Sequence, residues 1–465
     1  MKSSLIKSCL WLIFVYLSCP AQSELPKGEI VEKVAIGTDA SQSYALYLPK
    51  SYTPQRKWPI LYAFEPMARG KLPVTIFREA AEKYGYIVVG SDNSRNGLDG
   101  TALSKFLSAL WDDTHRRFSI DERRVYTTGF SGGARVAVSL AASCRCVAGV
   151  IGNGAGFPSQ LKPAADLPFI YFNAIGIDDY NYSEINALRK SLTEVKLTHR
   201  IEKFDGAHQW LTAPVAEEAL AWMQLHAIKS GILAQDEKFI EEYFQSRLAQ
   251  AAELSAKKQS LEAFAGYTAV AADFSGIKDV TDIRKEIENR RRSDELRKAI
   301  REEEHQIAMQ ARHAAFILSL GAKLMSAEEK ITVLPELRNY LAHLQKDAGE
   351  KEDSSERRIA RRALGQVFAQ TYEAGFFTFE RGKKYDLALL NYELANEINP
   401  KSPRVPYDRA RVYALSGQMK RALEFLEKAA GLGFKNWPEM EAEKAFEKLR
   451  QDEKFQKLLA GMKEK

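Results

Sequence analysis

Residues 124–142, RVYTTGFSGGARVAVSLAA, carry the decision about the fold. Val125 to Thr128 are β-branched or aromatic, which suits a strand. From Gly132 onward the residues are small or apolar at helical spacing. Between the two lies Gly129-Phe130-Ser131-Gly132-Gly133, which fits G-x-S-x-G. The spacing has a mechanical reason. A serine in a sharp strand-to-helix turn presents its hydroxyl at the sheet edge, and the flanking positions must lack side chains so that strand and helix can approach. The stretch predicts a nucleophile at Ser131, with Gly129 and Gly133 as the glycines of its elbow. A serine hydroxyl does little chemistry without a base and an acid that orients the base, so the rest of the chain must supply them.

Outward from this turn, strand and helix patterns alternate between residues 24 and 231. QSYALYLP alternates at period two, and PILYAF and YIVVG are short continuous apolar runs. RVYTTG, CVAGVIG, PFIYFNA and LTHRIEKF follow as further strands. Helical stretches separate them: PVTIFREAAEKYG, ALSKFLSALWDDTHRRF, GARVAVSLAAS and SEINALRKSLTEV. PVAEEALAWMQLHAIKSG closes the region, with Pro214 at its start and Gly231 past its end. Alternation of this kind predicts a mostly parallel, doubly wound α/β sheet with helices on both faces.

The pattern then changes. Residues 232–365 are rich in Glu, Lys, Arg, Ala and Leu and carry no strand signal, so a charged helical region is expected. Residues 366–465 contain a repeat. Ala388 and Ala422, Tyr392 and Leu426, and Ala395 and Ala429 are each 34 residues apart, and Pro400 closes the first unit. That period resembles the tetratricopeptide family and implies paired helices whose stacked faces offer a surface to a protein partner. The last stretch, EMEAEKAFEKLRQDEKFQKLL, reads as capping helices.

Residues 1–23 read as a signal peptide: Lys2 and Lys7, then CLWLIFVYLSC, then AQS as a small-x-small cleavage signal. Export to the periplasm or the extracellular space is the expectation, and lipid anchoring at Cys19 is the weaker alternative. No other run is apolar enough to span a bilayer, so the mature chain carries no expected membrane span. Of four cysteines, only Cys144 and Cys146 lie beyond this leader. Two residues apart, they read as two buried or half-buried thiols on a strand edge, since a bridge would close a tight, strained ring. The chain of 465 residues has net charge +6, with both signs interspersed and no basic stripe interleaved with aromatics. Nothing in it supports nucleic-acid binding.

Seven histidines could serve as a base. His115 and His226 lie in helical patterns, His305, His313 and His343 in the helical tail, and His199 in a strand pattern. His208 alone falls in a loop, FDGAHQW, after the last strand and before the closing helix. A doubly wound sheet presents its functional groups at that carboxyl edge. His208 is therefore the candidate base. The candidate acid lies in IGIDDYNY, after PFIYFNA, where Asp178 and Asp179 both qualify. One oxyanion donor is expected from the Gly132 N–H, directly after the nucleophile.

The chain order Ser, Asp, His is that of α/β-hydrolases. More narrowly, PILYAFEPMARG, DERRVYTTGFSGGARVA, GIDDYNY and GAHQW resemble the secreted esterase group that includes feruloyl esterases, acetylxylan esterases and polyhydroxybutyrate depolymerases. In that group the acid follows a G-x-x-D pattern, which laid on Gly176 implies Asp179. Its strand equivalent to PILYAF ends in His-Gly, and the next residue donates the second oxyanion N–H. Here Glu65 and Pro66 hold those places, so the resemblance implies Met67, with Arg69 pairing to Glu65 as compensation.

The resulting expectation is an exported serine hydrolase for carboxylic esters, acting through Ser131, His208 and Asp179 and an acyl-enzyme. No P-loop, dinucleotide fingerprint or H-E-x-x-H is present, so this chemistry calls for no cofactor and no metal. With no lid insertion between the strands, an open site for bulky or polymeric esters is expected. The alternative is a non-catalytic or weakly catalytic hydrolase-fold protein whose repeat region binds a protein partner.

Overall fold

The computed structural model describes residues 25–324, 327–380 and 382–463. The expected signal peptide and Cys19 lie outside them.

Eight strands form one sheet: β1 (Ile30–Ile36), β2 (Asp39–Tyr47), β3 (Trp58–Phe64), β4 (Ile87–Ser91), β5 (Ile120–Phe130), β6 (Gly149–Asn153), β7 (Ile170–Gly176) and β8 (His199–Phe204). The order across the sheet is β1-β2-β4-β3-β5-β6-β7-β8. β1 and β2, and β2 and β4, pair antiparallel, and every other pair is parallel. The interleaved helices are α1 (Lys71–Tyr84), α2 (Gly100–Arg117), α3 (Gly132–Cys144), α4 (Tyr182–Glu194) and α5 (Ala213–Lys229). α1 and α5 cover one face, packing Val74, Phe77, Leu220 and Trp222 on Leu61, Val88 and Phe172. α2, α3 and α4 cover the other, packing Phe106, Val138 and Leu188 with Ile60, Val89 and Val150. This is the α/β-hydrolase arrangement. Only β1 escaped the sequence pattern, because this edge strand exposes about half its residues and its alternation is broken by irregular register.

The remainder is helical: α6 (Glu237–Ala256), α7 (Ser260–Phe274), α8 (Thr281–Arg291), α9 (Asp294–Lys323), α10 (Ala327–Ala348), α11 (Ser355–Glu380), α12 (Tyr385–Ile398), α13 (Arg404–Leu415), α14 (Met419–Gly431), α15 (Trp437–Ala442), a 3₁₀ turn at Lys444–Leu449, and α16 (Glu453–Lys463). α12 and α14 begin 34 residues apart, at Tyr385 and Met419. Ala388, Tyr392 and Ala395 on the first, and Ala422, Leu426 and Ala429 on the second, are fully buried, as small residues at helix crossings should be. No described helix is long and apolar enough to cross a membrane.

No gap in packing separates sheet from tail. α5 is apolar around most of its circumference because it is buried on two sides. Leu220, Trp222 and Met223 meet the sheet, while Ala221, Leu225 and Ile228 meet Ile240, Phe244 and Phe274 of α6 and α7. A second joint is polar. Arg200 of β8, nearly sealed from solvent, pairs with Asp273 of α7 at 2.9 Å and Glu218 of α5 at 3.1 Å.

The cysteines differ from expectation: Cys144 and Cys146 are joined in a disulfide. Arg145 between them caps α3 in the left-handed conformation, φ 54°, and this reversal brings the two Cα atoms to 5.1 Å.

Candidate active site

The parallel strands deliver their following loops to one edge. Ser131, after β5, adopts φ 53° and ψ −120°. That is a strained backbone for a residue with a Cβ, costing on the order of 1–3 kcal/mol. Its surroundings hold it there. The Ser131 N–H donates to Asn153 O at 2.8 Å, and α3 starts at the next residue. Both elbow glycines are needed for contact. A Cβ on Gly129 would lie 2.2 Å from Gly133 O, and one on Gly133 would lie 2.0 Å from Phe64 O. Both clashes are backbone on backbone. Gly133→Ala is expected to lower stability by about 3 kcal/mol, as forced overpacking does. The shift of its denaturant midpoint measures this, and an unchanged midpoint contradicts the close approach.

His208 reaches the serine from the loop after β8. Its Nε2 lies 3.0 Å from Ser131 Oγ. Its Nδ1 lies 3.0 Å from each carboxylate oxygen of Asp179, which has no exposed surface. The imidazole sits between two rings, Phe130 at 4.6 Å and Tyr180 at 4.2 Å between centroids. The glycines of GIDD and DGAH explain how the two loops meet: a Cβ on Gly176 would fall 2.3 Å from Gly206 O. The Asp178 N–H then donates to Gly206 O at 2.9 Å. Asn153 fixes the His208 loop, accepting the Leu211 N–H at 2.7 Å and donating to Ala174 O at 3.1 Å. This support was not legible in the sequence, because it depends on which strand lies next to which.

The two adjacent aspartates separate cleanly. Asp179 faces His208 and also accepts the Asn181 N–H at 2.8 Å. Asp178 turns away toward the helical tail, where Arg361 Nη1 donates to it at 2.7 Å and Arg357 stands 3.8 Å off.

The loop after β3 departs from the expected oxyanion arrangement. Glu65 is fully buried, and its carboxylate folds back over its own turn. It accepts the Met67 N–H at 2.7 Å, the Arg69 N–H at 3.2 Å and the Arg69 guanidinium at 2.5 Å. The Arg69 pairing is therefore present, but the Met67 N–H is already engaged by Glu65 rather than left for an oxyanion. The reason is local: a carboxylate two residues before an N–H in a tight turn captures it, as in an Asx-type turn one methylene longer. Gly132 has a different neighbour. A Cβ there would fall 2.0 Å from Asn96 Oδ1, so the Asn96 amide lies against the residue after Ser131. The Asn96 backbone N–H donates to Pro66 O at 2.9 Å, tying its loop to Glu65-Pro66-Met67.

The tail reaches the loops beside this site. No lid interrupts the described strands; the contacts come from the distant helices α9 and α11. Arg362 Nε donates to Ile177 O at 2.7 Å, and its guanidinium stacks on Tyr182 at 3.7 Å. Gln310 of α9 donates to Tyr180 O at 2.8 Å. Gly365 lets α11 lie against the Tyr180 ring, which a Cβ would meet at 3.2 Å. Burial first, and then the charges of Asp179 and Glu373, push the Tyr180 hydroxyl above its ordinary range, so it stays protonated beside Ser131.

No protein-family model matches the chain, and no curated protein matches it. Solved structures resemble its first part. S-formylglutathione hydrolase from Staphylococcus aureus is 13% identical over 43% of this chain and 98% of its own, with a TM-score of 0.35. The feruloyl esterase module from Clostridium thermocellum is 16% identical over 41% of this chain and 85% of its own, at 0.33. A ferulic acid esterase from the anaerobic fungus Anaeromyces mucronatus is 15% identical over 41% and 87%, at 0.31.

Proposed function

We propose that this protein is an exported serine hydrolase whose substrates are carboxylic esters. One observation carries the reading: a serine on a strained strand-to-helix turn, a histidine 3.0 Å from it, and a buried carboxylate on the far ring nitrogen. Each part has a role in acyl transfer. Ser131 Oγ attacks the ester carbonyl while His208 Nε2 takes its proton. Asp179 accepts from Nδ1–H and stabilises the imidazolium that forms. His208 then returns the proton to the leaving alcohol. Water, activated by the same nitrogen, releases the acid from the acyl-enzyme. The Gly132 N–H faces the developing oxyanion, and the Met67 N–H adds to it once it leaves Glu65.

The N-terminal layout supports export, and the Cys144–Cys146 disulfide fits an oxidising compartment. We take residues 24–231 as the hydrolase region, 232–365 as the charged helical region and 366–465 as the tetratricopeptide-like region, supported by the buried 34-residue pairs. A scaffold reading, with the hydrolase fold inactive, is favoured by the engagement of the Met67 N–H with Glu65. It is weakened by an intact Ser131–His208–Asp179 chain of contacts.

The test is covalent labelling. A fluorophosphonate probe should modify the purified protein at one site, and peptide mapping should place the adduct on Ser131. If the protein takes up no probe and turns over a short-chain aryl ester no faster than Ser131→Ala, the hydrolase reading is wrong.

A further inference from the structure

α11 crosses the carboxyl edge of the sheet. Arg362 is fastened to Ile177, after β7, and Phe376 lies against Gly97, after β4, where a Cβ would meet its ring at 3.2 Å. From β7 to β4 is four strand-to-strand steps, about 19 Å. From residue 362 to residue 376 along a helix is about 21 Å. The two lengths agree, so the helix spans the edge from one loop to the other. The strands it passes over are β6, β5 and β3, and Ser131 follows β5. Arg362, Gln366, Ala369, Glu373 and Phe376 recur at four- and three-residue steps and so share one stripe. Its two ends are the ones fastened to the hydrolase region, so the stripe faces the edge.

Glu373 lies on that stripe three residues short of Phe376, over β3 and so beside β5, and is exposed. Its surroundings, Arg135 and His208 among them, bear on its charge; desolvation outweighs both and raises its carboxyl above the usual range. Among the described residues no cation lies within ion-pair distance of it. The other charges nearby are spent. Asp178 is held by Arg361, Asp179 by His208, and Arg135 by Glu184 at 2.9 Å. Phe376, three residues on and on the same stripe, is the next aromatic residue along the helix. A carboxylate with no paired cation attracts an ammonium group through charge, and a neighbouring aromatic ring adds the pull of its negative face.

We propose, resting on the hydrolase reading, that α11 roofs the cleft before Ser131 and that Glu373 is its specificity-determining group, selecting esters that bear an ammonium group. The helical tail is then part of the active site rather than an appended module. Its role is in substrate choice, since Glu373 makes no bond to the reacting atoms.

The experiment compares two thioesters of the same shape, cationic acetylthiocholine and neutral 3,3-dimethylbutyl thioacetate, following thiol release. Wild type should favour the cationic ester about fivefold or more in kcat/KM, the worth of one charge pair near 4 Å in high dielectric. Glu373→Gln should bring the ratio down about fivefold, Glu373→Asp should keep most of it, and Phe376→Ala should lower it through KM. If wild type hydrolyses both esters with a ratio that Glu373→Gln leaves unchanged, the roof proposal is overturned while the hydrolase stands. If wild type hydrolyses neither and takes up no fluorophosphonate, the parent reading fails and takes this one with it.

Discussion

Asp179→Asn is expected to lower kcat on a short-chain aryl ester by about 10⁴-fold, the typical result of trapping a catalytic imidazole in the wrong tautomer. Asp178→Asn, one residue away and also nearly buried, should cost less than about tenfold. The contrast follows from partners, not from burial. Asp179 presents both carboxylate oxygens to His208 Nδ1 at 3.0 Å. An asparagine there turns an N–H₂ toward the ring and reverses which nitrogen keeps its hydrogen. Asp178 gives its charge to Arg361, so its loss loosens the loop but leaves the ring alone. Ser131→Ala should remove at least as much rate as Asp179→Asn, about 10⁴- to 10⁶-fold, because the triad acts as a unit. Steady-state kinetics on the three variants measure this. If Asp178→Asn is the crippled variant and Asp179→Asn is near wild type, the assignment of the acid is reversed.

The second large effect concerns stability. Asp273→Ala is expected to cost about 3 kcal/mol in denaturant unfolding, because it leaves the Arg200 guanidinium buried beside a missing partner. Asp273 also accepts the Trp222 indole N–H at 2.8 Å and lies 3.7 Å from His226, so one substitution unpairs groups on β8 and α5 together. Glu218 and Glu202 remain near Arg200, which keeps the loss toward the low end of the range for broken buried pairs. Asp282→Asn, which removes one partner of an exposed pair with Lys285, should change stability by less than about 0.5 kcal/mol. Equal effects at the two sites would contradict the ranking by burial.

Asp273 also sets an acid limit. Burial alone would raise its carboxyl. Arg200, with the His226 ring nearby and the hydrogen bond from Trp222, outweighs burial and holds it below its ordinary range. The unfolded chain therefore binds this proton more readily than the folded one. The stabilisation is fully present above about pH 4 and is lost as pH falls from there through the lower folded value. The difference in stability between wild type and Asp273→Ala should shrink over that interval.

What could be read from residues alone follows from short-range rules. Apolar runs and helical spacing are properties of neighbours along the chain, so seven of the eight strands and the five interleaved helices were legible. The turn at Ser131 was legible too, because backbone strain and close approach demand glycine at particular positions. The histidine was found by its loop, and the acid was narrowed to two neighbours, with Asp179 singled out by the resemblance. Nothing in GIDDYNY states which carboxylate faces the ring. Loop closure decides it, through Gly176 against Gly206 and Arg361 drawing Asp178 away.

The sequence by itself determined the alternation that makes the doubly wound sheet and which candidate side chains stand in the loops at its carboxyl edge. Tertiary structure alone decided what stands over that edge. A helix almost two hundred residues after the Asp178-Asp179 loop grips Ile177 through Arg362 and Asp178 through Arg361. A stripe at four- and three-residue spacing says only that a helix has a face. Which surface the face meets depends on the packing of α5 between sheet and tail and on the buried pair of Arg200 and Asp273, contacts between residues far apart in the chain.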